Sequence, residues 1–535
     1  MAKALLIVPH FWDPVCVPLG VSSLKAYCEP HGHKVALFDF NMVGDVFGAQ
    51  KEYFEIGSRQ FPQWKNWNIA RNGTETLALH QLVYLFMKDE PNYRELCAEI
   101  VNVNGAPNDS FMAAFDEKEF DALFARLYSR VEEILLTLLN KNEPQIVGCS
   151  LYNSTWPATL FILNMVKKLK PQVRTVVGGP GPIMGIISKE EEVQSFFNAH
   201  PCIDYYVVGE GEEAFLDILN NSDMPSAIVR PQNYIKKLVD LPLPDYDELD
   251  LRNYLSLSIA SARGCPFECS FCAETIFWKG FRSTPKGQFF TQVKQLSKKY
   301  NRRCIYICDS LSNHIITTLT DLTYEDGIPL KYDCYLRADV SCTYEDRAKK
   351  WSRGGLHRAR LGMESASQRI LDEMVKKTNV ETMEKSLAAL SGADIVTSTL
   401  WIVGYPGETE AEFNETLSFI KRNNNNIHQA DPWLFQFHPE GLAGSDHLAE
   451  SGVKTRFSSQ LNKLFAITPY VVGKGLSLAE RFDRLERFER ARVEAGVSNP
   501  YSFREWNEAD HRWQELGHKR PLTLVDHMAP LVRKG

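Results

Sequence analysis

Ser261-Ala-Arg-Gly-Cys265-Pro-Phe-Glu-Cys269-Ser-Phe-Cys272 sets three cysteines in CxxxCxxC spacing, directly after a short apolar run, Leu257 to Ala262, that reads as a strand. A 4Fe–4S cube needs thiolates converging from one tight loop. Gly264 and Pro266 bend the chain so that three sulfurs can face a common point. Three thiolates leave one iron without a protein ligand. A cluster that acts on a bound small molecule requires that open iron, whereas an electron carrier normally closes all four positions. The competing readings are a zinc knuckle and three buried thiols. A structural zinc site wants a fourth Cys or His at knuckle spacing, and none lies between Cys272 and Cys304.

The surrounding chain is long enough for several domains. At 535 residues it should hold two to four, at ~100–200 residues each. Hydrophobic residues make up 44% and aromatics 11%, ample for large cores. A net charge of −7 and a pI near 6.1 argue against a nucleic-acid binder, which would show a basic face. No apolar run approaches the ~18 residues of a membrane span. The start, Met1-Ala-Lys-Ala-Leu-Leu-Ile-Val8, runs into Pro9-His10-Phe11-Trp12-Asp13 without a small-residue cleavage site, so it reads as a first strand. Twelve scattered cysteines suggest no disulfide framework. Reduced thiols and an oxygen-sensitive cluster fit a cytoplasmic setting.

The first ~235 residues alternate strands and helices. Ala4 to Val8, Lys34 to Phe40, Gln145 to Ser150, Thr175 to Gly179 and Tyr205 to Gly209 read as strands, with helices over Leu19 to Cys28 and around Ala158 to Lys170. That order implies a parallel, doubly wound Rossmann-like sheet, with ligands at the carboxyl ends of its strands. Between about 41 and 140 an inserted helical cap is expected, because Phe120, Leu123, Phe124, Leu127, Val131, Ile134, Leu135 and Leu138 share one 3.6-period face. A linker over 236–255 contains Leu241-Pro-Leu-Pro-Asp245 and leads into the cysteine domain, 256–440. After about Gly441 the strands should stop, leaving 441–535 mainly helical. There Ser477-Leu-Ala-Glu480 is a capping box opening a helix to about Gly496.

The cysteine spacing, with Phe271 before the last Cys, resembles the radical S-adenosylmethionine (SAM) superfamily. Cys308-Asp-Ser-Leu-Ser-Asn313, Arg360-Leu-Gly-Met-Glu-Ser365 and Ile402-Val-Gly-Tyr-Pro-Gly-Glu-Thr409 look like later strands of that family's partial (β/α)6 barrel, in its order. Upstream, Pro18-Leu-Gly20, Gly148-Cys-Ser-Leu-Tyr-Asn153, Val176-Val-Gly-Gly-Pro180 and Val208-Gly-Glu-Gly-Glu212 resemble the cobalamin-binding domain of cobalamin-dependent radical SAM enzymes. Together the resemblance covers roughly residues 1–440.

The resemblance implies that Cys265, Cys269 and Cys272 hold a 4Fe–4S cluster and that Phe271, Arg337 and Glu364 bind SAM, with Asp309, Ser310 and Asn313 lining the same cavity. It implies that Ser150, Gly178 and Gly179 line the groove for the nucleotide tail of cobalamin, and that Leu19, Gly20, Leu151, Gly209, Glu210 and Gly211 complete that site. One departure matters. Cobalamin domains like that of methionine synthase carry DxHxxG after the first strand, whereas here Val8 and Asp13 flank His10 in place of the Asp and Gly. His10 is expected to be a loop or packing residue and the cobalt to lack a histidine ligand.

The family's commonest reaction moves a methyl group from methylcobalamin to a substrate carbon radical, and a second SAM recharges the corrinoid. The chain is therefore expected to be a methyltransferase acting on an unactivated carbon of a small-molecule or natural-product substrate. An external one-electron reductant of flavodoxin or ferredoxin type is implied. A cyclase or rearrangement enzyme keeping both cofactors is the alternative, and a non-catalytic corrinoid-binding sensor or carrier a third.

Overall fold

The computed structural model describes residues 1–11, 16–61, 72–102, 109–179, 190–221, 224, 226–272, 274–435, 453–454, 458, 460–461, 470–471, 475–501 and 503–528. Trp12, Pro180 and the expected boundary near Gly441 lie outside the described residues.

Two parallel six-stranded sheets organise the chain. The first has the order β2-β1-β3-β4-β5-β6, from β1 (Lys3–Val8), β2 (Lys34–Asp39), β3 (Ile146–Ser150), β4 (Arg174–Gly178), β5 (Tyr205–Val207) and β6 (Ile228–Val229). Its strands are near-continuous apolar runs, as burial on both faces demands. α1 (Leu19–Cys28) follows β1 and ends before Gly32, whose φ of 87° closes the turn. The order reverses between β1 and β3, the switch point at which ligands of such sheets bind.

Between β2 and β3 the regular elements among the described residues are helices, α2 (Gly44–Gln60), α3 (Asn72–Met87), α4 (Tyr93–Val101), α5 (Asp109–Ala114) and α6 (Glu117–Asn142). On α6 the expected apolar face is the packed one. Phe120, Leu123, Phe124, Leu127, Val131 and Leu135 are buried, with Ile134 and Leu138 half-buried beside them. After β3 the sheet is covered by α7 (Trp156–Leu169), α8 (Glu190–Ala199) and α9 (Gly211–Asn220).

The second sheet starts at β7 (Leu257–Ile259), and a two-residue hairpin, β8 (Ala262–Arg263) with β9 (Arg282–Ser283), carries the cysteine loop and α10 (Glu274–Trp278). Then follow β10 (Cys304–Ile307), β11 (Lys331–Leu336), β12 (Leu356–Glu364), β13 (Val396–Val403) and β14 (Gln429–Leu434), all parallel neighbours in sequence order. The alternating helices are α11 (Lys286–Tyr300), α12 (Ile316–Asp326), α13 (Glu345–Arg353), α14 (Gln368–Glu373), α15 (Val380–Gly392) and α16 (Glu410–Arg422). This is an open six-unit barrel.

Its open edges are covered. Val17 donates to the Ser256 carbonyl (3.2 Å) beside β7, and Ala430 of β14 donates to the Ser498 carbonyl (3.0 Å). Capping the unpaired backbone removes a template for stray strand pairing. Three C-terminal helices, α17 (Leu478–Glu494), α18 (Phe503–Glu515) and α19 (Leu524–Met528), complete the described chain. The capping box at Ser477 and Glu480 forms as expected. Strands do not stop at 441, however: Val453–Lys454 pairs antiparallel with Tyr470–Val471, a pair too short for any periodicity to announce. No described helix is long and apolar enough to cross a membrane.

Candidate functional site

The cysteine loop projects from the β8/β9 hairpin and is braced on both sides. Gly264 has φ +80°, and a side chain there would collide with the Gly280 carbonyl, so the hairpin closes only around glycine. Opposite, Ser270 N donates to the Met374 carbonyl (2.9 Å) and its hydroxyl shares a hydrogen bond with Tyr405 (3.0 Å). Tyr405 belongs to the turn after β13, which gives part of that motif a structural task. Cys269 is buried and Cys265 and Cys272 are half-buried. Burial pushes the Cys272 thiol up to about 12, with nearby Glu274, Cys269 and Cys265 adding to it. Burial also raises Cys265, helped by Cys269. The three sulfurs come from one short loop, and binding a metal group would draw off their protons. Among the described residues no three His, Cys, Asp or Glu side chains close on a single metal ion. A cube instead takes one thiol at each of three irons.

Arg337, at the end of β11, lies against this loop. Its guanidinium stacks 4.0 Å over Phe267, and Nη1 is 3.8 Å from Cys269 Sγ. Nε and Nη2 are buried with no hydrogen-bond partner among the described residues, an arrangement that costs free energy unless a ligand completes it. Asn313 fixes the position: its Oδ1 accepts from Arg337 N (2.8 Å) and its Nδ2 donates to Arg337 O (3.0 Å). Arg337 therefore offers a bidentate donor beside the open side of the cysteine loop, suited to a carboxylate.

Glu364 ends β12 with φ 66°, a left-handed conformation unusual for a non-glycine residue and frequent at functional sites. Its carboxylate pairs with Lys376 Nζ at 2.6 Å, both nearly buried. Lys376 Nζ stands 5.6 Å from the Phe271 ring. A side chain at Gly362 would come within 2.5 Å of the Glu364 carboxylate and 2.9 Å of Lys376 Nζ, so that glycine admits the pair. Sequence reasoning missed Lys376, since a lysine in a post-helical turn carries no local signal.

Asp309 and Ser310 face other duties than the expected cavity lining. Asp309 Oδ1 accepts from Ser261 N (2.7 Å) and Ala262 N (2.9 Å), and Oδ2 accepts from Ser261 Oγ. It pins the strand leading into the cysteine loop. Burial outweighs these bonds and raises its carboxyl to about 7. Ser310 Oγ donates to Glu274, which also accepts from Trp278 Nε1 (3.0 Å).

In the first sheet the expected cobalamin residues gather at the carboxyl ends of β1, β3, β4 and β5. Leu19 and Gly20 begin α1, Ser150 ends β3 with Leu151 after it, Gly178 ends β4 and Gly209 to Gly211 follow β5. The glycines are not equivalent. Gly20 has open space where a side chain would stand. A side chain at Gly179 (φ +123°) would meet the Leu151 carbonyl at 2.5 Å, so protein packing already demands that glycine, whereas one at Gly211 would only press on the Leu24 side chain at 3.1 Å. Of these glycines, packing requires neither Gly178, which would make only ordinary contact with Val207 at 3.4 Å, nor Gly20. Gly20 begins α1 beside the switch point, which fits a large ligand lying against that helix.

Glu210 needs a correction. Its carboxylate does not face the groove. Oε1 pairs with Arg263 (2.8 Å) and Arg282 (2.7 Å), and Oε2 accepts from Ile235 N (2.6 Å). These three partners, in segments distant in sequence, are invisible to a linear reading.

His10 is fully enclosed by Phe11, Phe40 and Tyr128, beneath the helical insertion. Burial pushes its imidazole down to about 3, with Gln81 opposing.

Residues 259–420 match the Radical SAM superfamily. The chain is 26% identical over 310 residues to an uncharacterized methyltransferase of Pyrococcus horikoshii, covering 53% of this chain and 66% of that protein. It is 25% identical over 401 residues to the anaerobic magnesium-protoporphyrin IX monomethyl ester cyclase of Rubrivivax gelatinosus, covering 66% of each. These alignments thus span just under two thirds of either relative's length. Among solved structures, the radical SAM methyltransferase TsrM from Kitasatospora setae, with cobalamin and a [4Fe-4S] cluster bound, superimposes with a TM-score of 0.57 at 14% identity, over 96% of this chain and 91% of that one.

Proposed function

We propose, from the match of residues 259–420 to the Radical SAM superfamily and the likeness of the fold to a radical SAM methyltransferase with cobalamin bound, that the chain is a cobalamin-dependent methyltransferase acting on an unactivated carbon of a small molecule. The observation that carries this reading is the meeting of two sites. The carboxyl end of the first sheet is ion-paired to the hairpin that carries the cysteine loop, through Glu210 and Glu212 on one side and Arg263, two residues before Cys265, on the other.

When bound, a 4Fe–4S cluster with SAM on its open iron supplies a 5′-deoxyadenosyl radical, and a corrinoid supplies the methyl group. Cys265, Cys269 and Cys272 are the residues to hold the cluster. Arg337 would take SAM's carboxylate on its two unpartnered nitrogens. Glu364, held by Lys376, would meet a polar group of the same molecule, and Phe271 would lie against its adenine side. The groove beside Gly20 and Ser150 would take the corrinoid, with no imidazole from His10, which is walled off. Protein residues otherwise orient and exclude water. An external one-electron donor of flavodoxin or ferredoxin type would reduce the cluster.

The cyclase relative supports a second reading, in which both cofactors serve ring closure without methyl transfer. Product counting separates them. After anaerobic reconstitution with cobalamin and incubation with candidate substrates, a methyltransferase yields S-adenosylhomocysteine beside 5′-deoxyadenosine. 5′-Deoxyadenosine alone, with a ring-closed product, would favour the cyclase.

A further inference from the structure

We propose that Glu210, gripping Arg263 and Arg282, is a positioning residue that sets the distance between the first sheet's ligand groove and the cysteine loop. This rests on the functional reading above and deepens it. Glu210 follows the end of β5 and occupies the position preceding α9, yet its side chain does not cap that helix. It crosses to the second sheet instead. Oε1 contacts Arg263 at 2.8 Å and Arg282 at 2.7 Å, and these two arginines face each other across the β8/β9 pair. One carboxylate therefore holds both arms of the hairpin from which the cysteine loop hangs. Glu212, on the first turn of α9, takes Arg263 from a second side.

The grip is reinforced on both faces. Oε2 of Glu210 accepts from Ile235 N, and Arg282 Nη1 donates to Ile235 O (2.7 Å), so the residue that leads into the linker is locked in as well. Arg282 Nη2 donates to Trp278 O (3.0 Å), and the Arg263 guanidinium lies 5.5 Å over the Trp278 ring. Two carboxylates face two guanidiniums, with the Glu210 and Glu212 side chains 1% and 6% exposed. Burial of that kind is costly unless every charge is matched, and matched charges with bidentate forks give geometric definition more than raw stability. A network of this sort, two residues from a cluster ligand on one side and at the ligand-bearing strand ends on the other, fixes how the two sites face each other.

The test uses the full chain reconstituted anaerobically with iron, sulfide and hydroxocobalamin, as wild type, Glu210→Gln and Glu210→Asp. The distance between the reduced cluster and Co(II) is read by pulsed electron paramagnetic resonance, and uncoupled SAM cleavage by 5′-deoxyadenosine. Glu210→Gln should keep its iron and corrinoid and cleave SAM within about twofold of wild type, because cleavage needs only the cluster side. Its cluster–cobalt distance distribution should broaden or shift, with Glu210→Asp in between. An unchanged distribution overturns the proposal. So does loss of iron, corrinoid and cleavage together, which would make Glu210 a folding residue. Should the wild type itself fail to cleave SAM, the functional reading fails, and hydrogen exchange of residues 262–283 decides the tether: faster exchange in Glu210→Gln supports it, unchanged exchange overturns it.

Discussion

Asp309 carries a structural task that its sequence motif does not announce. The motif after β10 marks it, but only the structure shows the carboxylate turned back onto the amides of Ser261 and Ala262. Burial raises it to about 7, against roughly 3.9 in an unfolded chain. The folded state therefore binds this proton more tightly than the unfolded one. Its contribution favours folding below about pH 4 and is lost as pH rises through about 7. Asp309→Asn should keep an acceptor for both amides and flatten that pH dependence between 4 and 7. Asp309→Ala leaves two buried donors without partners and should cost about 2–5 kcal/mol. Denaturant unfolding at pH 5, 6 and 8 checks both, and a steep dependence surviving in Asp309→Asn would contradict the assignment.

Arg337 is the opposite case, a residue whose surroundings leave its charge waiting. With Nε and Nη2 unpartnered, it should contribute to ligand affinity more than to stability. Arg337→Lys should retain the cluster but weaken SAM binding roughly 10–100-fold, since a lysine cannot offer a bidentate fork. Equilibrium dialysis of SAM against reconstituted protein measures it. Equal affinity in the variant would show that the two nitrogens meet something else.

At the scale of elements, long periodic segments were readable and short ones were not. The 26-residue α6 repeats its apolar spacing over seven turns, enough to be read without a structure. The pair β8 and β9 offers two residues per strand, and no pattern of alternation fits into two residues. Yet this hairpin carries the cysteine loop and both arginines of the Glu210 network. The expected glycine signature of the first sheet was also a mixture, since a glycine demanded by packing and one demanded by a ligand look alike in sequence. The distinction is testable. A side chain at Gly179 would meet the Leu151 backbone at positive φ, so Gly179→Leu should destabilise the fold. Gly20 lies on α1 with open space before it, and replacing a helical glycine can stabilise by up to about 1 kcal/mol. Gly20→Leu should therefore melt no lower than wild type while losing corrinoid. Full corrinoid retention in that variant would move the groove elsewhere.

For the whole molecule, the first domain and the barrel are interleaved and not merely joined. Val17, from the loop after β1, completes one edge of the second sheet, and Ser498, from the C-terminal segment, completes the other. Tyr254 of the linker donates to Asp39 of the first sheet (2.8 Å), and Glu248 accepts from Leu37 N (2.7 Å). A stretch that reads as a turn-rich linker is thus tied to the first sheet by residues more than two hundred positions away in sequence. The first sheet was legible from alternating strands and helices, and the second from the resemblance of its motifs to a known barrel. Their mutual grip was not, since it depends on single charged pairs between distant segments.

The most direct test begins with anaerobic reconstitution of the wild type and of a variant with Cys265, Cys269 and Cys272 all changed to Ala, followed by iron analysis and incubation with SAM and a strong reductant. The wild type should hold about four irons at this site and form 5′-deoxyadenosine, and the triple variant should do neither. Zinc in place of iron in the wild type, or 5′-deoxyadenosine from the triple variant, would contradict the radical SAM reading of the cysteine loop.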